Sequence, residues 1–162
     1  MTLDLKITGA TVYDGTGADR FVADVGIADG RIVEIGRTTS AASRVLNADG
    51  AMLTPGFIDM HTHYDAQVFW DNDLIASSRN GVTSAVMGNC GVGCAPFTPD
   101  IKDDVVSLFE GVEDIPRASI EVALDWQWGS FESYLHRIEQ QSYTINLAVN
   151  ATHAPIRMIA MG

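Results

Sequence analysis

Thr54-Pro55-Gly56-Phe57-Ile58-Asp59-Met60-His61-Thr62-His63-Tyr64-Asp65 is the stretch that decides how this chain is read. The apolar Phe57-Ile58 reads as a buried strand, and two histidines two apart at its end project to the same side. One ion could take both, because neutral imidazole is a common ligand for zinc and α/β folds carry their reactive groups at strand ends. His-x-His alone is more often a surface or core pair, so the reading needs a second element. It follows Gly81, where Val82-Thr83-Ser84-Ala85-Val86-Met87 is a β-branched run predicted to be another buried strand, ending at Gly88-Asn89. Cys90 comes directly after it, and adjacent parallel strands would bring that thiol beside His61 and His63. The glycines around Cys90 allow the backbone to bend closely round a metal or a substrate oxygen. Cys90 and Cys94 could also be half of a zinc-finger-like site, but no second ligand pair stands at suitable spacing, and Cys94 reads as ordinary buried packing. Asp59 either orients an imidazole through its ring N–H or serves as a turn carboxylate.

Working outward, the first fifty residues read as an all-β layer. Apolar positions alternate at Leu3, Leu5, Ile7 and at Val25, Ile27, and Asp29-Gly30 predicts a hairpin into Arg31-Ile32-Val33-Glu34-Ile35. A second turn is expected at Asp49-Gly50. Beyond Leu53 the pattern changes to strands followed by helices. Asp100 is placed as the cap of a helix with Ile101, Val105, Leu108, Phe109 and Val112 on its apolar face. Ser130 is placed as the cap of another, carrying Phe131, Tyr134, Leu135 and Ile138. Ile145-Asn146-Leu147-Ala148-Val149 is then a third buried strand, parallel to the others because helical segments separate them.

Ten basic and 21 acidic side chains give a net charge of −11, which repels polyphosphate and anionic lipid, so neither nucleic acid nor a membrane is expected as a partner. Residues 100–140 carry much of the acid, read as a solvated helical face. Asp4 and Lys6 interrupt what would have to be the apolar part of a signal peptide. The longest uncharged run, Asn80 to Pro99, holds too many glycines and prolines for a membrane helix. Two close cysteines make no disulfide scaffold, and the chain is read as soluble and cytoplasmic. The final Met158-Ile159-Ala160-Met161-Gly162 is apolar where chain ends are usually polar, so the chain reads as cut.

These residues are recognisable as a set. Pro55 to Asp65 resembles the first-strand signature of the amidohydrolase superfamily. His61-Thr62-His63-Tyr64-Asp65-Ala66-Gln67, Gly81-Val82-Thr83-Ser84, Met87-Gly88-Asn89-Cys90-Gly91-Val92-Gly93, Val112-Glu113-Asp114-Ile115-Pro116, Trp126-Gln127-Trp128 and Met161-Gly162 narrow the resemblance to its N-acyl-D-amino-acid deacylase (D-aminoacylase) branch. The resemblance covers the whole chain, in the family's own order. It implies an α/β fold: residues 1–52 form the N-terminal part of a small β-sandwich, and residues 53–162 the first strands and helices of an incomplete metal-dependent (β/α)₈ barrel, about three strands of eight. His61 and His63 match the metal histidines of the first strand, and Cys90 matches the cysteine that serves this branch as a ligand from the second; zinc is the implied cofactor. Further metal histidines and the general-base aspartate belong to later strands, beyond residue 162. Fewer than half of the about 250 residues of a full barrel follow Met52. An opened barrel leaves edges unpaired, so the free chain is expected to be poorly stable or to self-associate. Cys94 departs from the bulky apolar residue common at that position.

The implied reaction is hydrolysis of a non-peptide carbon–nitrogen bond, deacylation of a small N-acyl-D-amino acid, with these 162 residues an inactive fragment of the enzyme. Two other readings stand beside it: a non-catalytic metal-binding or interaction fragment, and a cyclic-amide hydrolase of the same superfamily, against which Cys90 argues. His153 follows the third strand as His61 follows the first and is placed as a substrate contact. Arg157 is read as pairing with a substrate carboxylate or as a structural ion pair, His136 as a surface residue, and Trp126 and Trp128 as core or loop anchors.

Overall fold

The computed structural model describes residues 2–162, so only Met1 of the expected sandwich segment lies outside it. The chain divides into two compact units, Met1–Pro55 and Gly56–Gly162.

The first unit is built on β1 (Leu3–Val12), which β2 (Phe21–Ala28) joins antiparallel, followed by β3 (Arg31–Gly36) antiparallel to β2. Asp29 and Gly30 have φ of 51° and 70°, the paired positive values that match a two-residue hairpin to the twist of its strands. Asp49 and Gly50 also take positive φ, 43° and 80°. That turn makes no hairpin, however: β4 (Ala42–Asn47) and β5 (Met52–Leu53) both run parallel to β1, pairing with successive stretches of it. Ala10, Val12, Ala23 and Val25 form the buried centre of this layer.

In the second unit β6 (Phe57–Asp59), β7 (Val82–Met87) and β8 (Asn146–Val149) make a parallel sheet in the order β6-β7-β8. The three strands predicted here all form and are parallel as expected. Their burial is less than expected: Phe57 and Ile58 are 61% and 63% exposed. β6 has a strand neighbour on one side only, so the short hydrophobic run that reads as buried lies along an open edge.

Helices fill the crossovers: α1 (Ile75–Ser78) between β6 and β7, then α2 (Lys102–Glu113), α3 (Arg117–Ala123) and α4 (Phe131–Glu139) before β8, and α5 (His153–Met161) after it. The start of α2 corrects the expected cap. Asp100 accepts no capping bond; it sits within a 3₁₀ turn, Pro99–Ile101, led by extended Thr98. Pro99 already supplies the fixed φ and missing N–H that suit a first helical position. Val105, Val106 and Phe109 of α2 are fully buried against Ile120, Leu124, Trp128, Tyr134 and Ile138. Trp128 stacks on Phe69 at 4.8 Å and donates its indole N–H to the Cys94 carbonyl at 2.8 Å, which makes it a core anchor.

Ser130 caps α4 as predicted: its Oγ accepts the Ser133 N–H at 3.1 Å, while the Ser133 Oγ accepts the Ser130 N–H at 3.0 Å. Ser130→Ala is expected to cost about 1 kcal/mol, read as a lower urea midpoint; an unchanged midpoint would mean that core packing alone holds the helix end. Among the described residues no helix is long and apolar enough to cross a membrane.

Candidate metal centre

The carboxyl ends of β6 and β7 lie side by side, and the loops that leave them are tied by backbone geometry. Thr62 continues the ladder, its N–H donating to the Val86 carbonyl at 2.9 Å and its hydroxyl to the same oxygen at 2.9 Å. That turns the buried Thr62 inward and leaves His61 and His63 flanking it on the other side. Asp59 accepts the backbone N–H of His61 at 3.1 Å, so of the two readings of Asp59 the turn carboxylate is the one seen.

The Cys90 loop is bent more sharply. Gly88 has φ 81°, where a Cβ would lie 2.6 Å from the Asn150 carbonyl oxygen, so glycine is required for both conformation and space. Cys90 itself has φ 54°, a left-handed backbone that is uncommon away from glycine and costs about 1 kcal/mol or more. Asn89 anchors the bend, its side-chain amide donating to the Thr62 carbonyl at 3.2 Å and the Val86 carbonyl at 2.9 Å.

The product is a cluster in which one donor atom from each of His61, His63 and Cys90 lies within 4.8 Å of the others. The Cys90 Sγ is 3.3 Å from the His61 Nε2. In a tetrahedral zinc site, with bonds of about 2.0–2.3 Å, neighbouring donors stand about 3.5 Å apart. The His61 and Cys90 donors are already near that spacing, and two imidazoles with one thiol are a donor set that zinc accepts. The residues fit the ion. Cys90 is exposed and unpaired, whereas Cys94 is buried, its thiol pushed up by burial and then by the nearby Asp65.

Asp65 and Glu113 belong to the site although neither was assigned a role from sequence. Asp65 is 2% exposed; its Oδ2 accepts the Gly88 N–H at 2.9 Å and its carbonyl accepts the Tyr134 hydroxyl at 2.8 Å. It therefore ties the His63 loop to the Cys90 loop and both to α4. Burial pushes its carboxyl up to about 7, against the Gly88 N–H that favours the ionised form. Asp65→Ala leaves the Gly88 N–H without a partner and is expected to cost about 1–3 kcal/mol. Asp65→Asn keeps an acceptor and should cost less; equal urea midpoints for the two variants would contradict that role.

Glu113, the last residue of α2, brings its Oε1 to 2.7 Å from the His63 Nδ1. The imidazole is turned off the line of a directed hydrogen bond, so carboxylate oxygen and ring nitrogen approach closely without completing that bond. Burial raises the Glu113 carboxyl, with His63 and His61 pulling the other way. The sequence marked Glu113 only as part of the motif Val112-Glu113-Asp114-Ile115-Pro116, which carries the family resemblance but names no role for it.

His153 opens α5 and is exposed. It lies outside the three-residue cluster, but a Cβ on Gly91 would be 3.4 Å from the His153 Cβ, which sets it against the Cys90 loop. Exposed Arg157 lines a depression with His153, Asp100 and Asp104 that includes none of the three cluster residues. His136 is on the surface, as expected.

Residues 44–162 match the amidohydrolase family. N-acyl-D-glutamate deacylase of Alcaligenes xylosoxydans xylosoxydans is 36% identical over 160 residues, 98% of this chain and 30% of that protein. The crystal structure of N-acyl-D-glutamate deacylase from Bordetella bronchiseptica, complexed with zinc and a phosphonate mimic of the tetrahedral intermediate, superposes with a TM-score of 0.80 at 35% identity, over 99% of this chain and 32% of that one. A D-aminoacylase structure described by its binuclear metal centre gives 0.78 at 30% identity, over 98% and 31%. The chain spans a little under a third of the length of each of these relatives.

Proposed function

Because the chain belongs to the amidohydrolase family, we propose that it forms the opening part of a zinc-dependent N-acyl-D-amino-acid deacylase. The observation that carries this reading is the convergence of His61, His63 and Cys90 at the ends of two adjacent parallel strands, in a chain similar to such deacylases along nearly its whole length. On this reading residues 1–52 are part of a small β-sandwich and residues 53–162 begin a (β/α)₈ barrel. Exposed Phe57, Ile58 and Met60 are then the surface on which later strands close, or through which the isolated chain associates.

The residues divide the work by position. His61 and His63 hold the ion from β6, and Cys90, as thiolate, holds it from β7. When bound, zinc supplies Lewis-acid polarisation of the scissile carbonyl and acidifies water toward a pKa of ~7. Asp65 and Asn89 keep the two loops in register through the bonds to Gly88 and Thr62. His153, against the Cys90 loop, is placed to contact the acyl amino acid. The proton transfer to the departing amine falls to an aspartate from a later strand. The 162 residues by themselves therefore bind metal without turning over amide.

The test starts with the intact mass of the native product against the 17.4 kDa of this chain, followed by assay of that product on N-acetyl-D-glutamate and N-acetyl-D-methionine, with the L enantiomers as controls. A heavier, D-selective hydrolase is expected. A heavier product that cleaves only cyclic amides would overturn the deacylase reading, and turnover by a 17.4 kDa species would overturn the need for later residues.

A further inference from the structure

We infer that Glu113 is a positioning residue for the metal centre: its carboxylate accepts a hydrogen bond from the Nδ1–H of His63, holds the proton on that nitrogen and so presents Nε2 to the ion. The inference rests on the metal reading above and adds to it a residue that the three-ligand cluster does not contain.

Three independent observations meet at this carboxylate. Its Oε1 stands 2.7 Å from the His63 Nδ1, and the two side chains are only 12% and 24% exposed. Among the described residues neither atom has a hydrogen-bond partner. A buried carboxylate oxygen and a buried ring nitrogen that face each other and nothing else are each costly unless they satisfy one another. Glu113 also closes α2, with Asp114 following at φ 52°. The negative end of the helix dipole disfavours an acidic side chain there, and α2 has no basic residue in its last turn to offset it. A cationic or proton-donating partner outside the helix offsets that cost, and the imidazole of His63 stands 2.7 Å away.

The direction of the assignment follows from ring chemistry. A neutral imidazole has one N–H and one lone pair, so a carboxylate at Nδ1 leaves the lone pair on Nε2. His61 likewise turns its Nε2 to the Cys90 Sγ, so both rings offer the same nitrogen to one ion. Turning the His63 ring so that its Nδ1–H points along the 2.7 Å line to Glu113 would complete that hydrogen bond. An accepting carboxylate also makes the ring a better donor, which is why such partners commonly contribute about 10–100-fold to metal affinity.

The experiment is zinc titration of the native full-length product, wild type and with Glu113→Ala or Glu113→Gln, by competition with a chromophoric chelator, alongside ¹⁵N spectra of the histidine rings in the zinc-loaded proteins. Glu113→Ala is expected to bind zinc about 10–100-fold more weakly, and to lose the slowly exchanging Nδ1 proton of His63. Glu113→Gln keeps a carbonyl acceptor of the same reach and is expected to recover part of the affinity and the same tautomer. A residue that only supports the fold would lower stability without moving the ring signals. If wild type binds one zinc and Glu113→Ala binds it equally tightly, the positioning role is overturned and the metal centre stands. If wild type takes up no stoichiometric zinc, the centre and the role of Glu113 fall together.

Discussion

Cys90→Ala is expected to bind no stoichiometric zinc after dialysis, a loss of affinity of more than about 100-fold, since it exceeds what loss of an outer partner costs. The reason is geometric. His61 and His63 sit on one loop, and two imidazoles alone leave half of a tetrahedral ion to solvent. The Cys90 thiolate is the donor that comes from the other strand, and it is held there by a left-handed backbone that an alanine can also adopt. The variant therefore keeps the loop and removes the ligand. Cys94→Ala is the matched control, because Cys94 is buried and its sulfur lies outside the cluster. Metal analysis of the two dialysed variants decides the matter: stoichiometric zinc in Cys90→Ala would mean that His61 and His63 find their third ligand elsewhere.

Gly88→Ala is expected to lower the stability of the second unit by about 3 kcal/mol. Two costs add. A left-handed φ of 81° costs an L side chain roughly 1–2 kcal/mol. The new Cβ would also stand 2.6 Å from the Asn150 carbonyl oxygen, an overpacking that typically costs 1–3 kcal/mol. Asn150 cannot retreat freely, since its N–H donates to the Met87 carbonyl at 2.9 Å and extends the β7–β8 ladder. Gly81→Ala separates the two costs: Gly81 has φ 84°, but its added Cβ would meet only the Phe57 ring at 3.4 Å, an ordinary contact. It should lose only the conformational part. Urea unfolding followed by tryptophan fluorescence reads this unit selectively, because all three tryptophans, Trp70, Trp126 and Trp128, lie beyond residue 56. Equal midpoints for the two variants would show that the Asn150 contact relaxes without cost.

The Gly88 bend also links stability to the centre. Its N–H is the donor to Asp65, and Asp65 follows His63 by two residues. A shifted Gly88 therefore moves both loops, so weaker zinc binding should accompany the lost stability.

Much of this was legible in the sequence because the deciding signals are local. Asp29-Gly30 specifies a tight hairpin through the positive φ that both residues tolerate. Ser130 announces its helix because a cap bonds within three residues of itself. The alternation around Thr62 turns two histidines to one side, and the glycines on either side of Cys90 mark a sharp bend at the end of the next strand. A resemblance carried by those same residues extended the reading to zinc and amide hydrolysis.

What only the tertiary structure decided concerns partners distant along the chain. Asp65 looks like one more loop carboxylate until Gly88, 23 residues on, and Tyr134, 69 residues on, close over it and burial lifts its carboxyl to about 7. Glu113 lies 50 residues after His63, and no periodicity or spacing connects them. The exposure of Phe57 and Ile58 was likewise invisible, since an apolar strand reads the same at an open edge as between two neighbours. The sequence by itself determined which residues can act and the local bends that aim them, because backbone preference is a short-range property. The tertiary structure decided which groups stand together and which lose their water, because desolvation and charge pairing depend on distance through space, and that is set when the strands and helices pack.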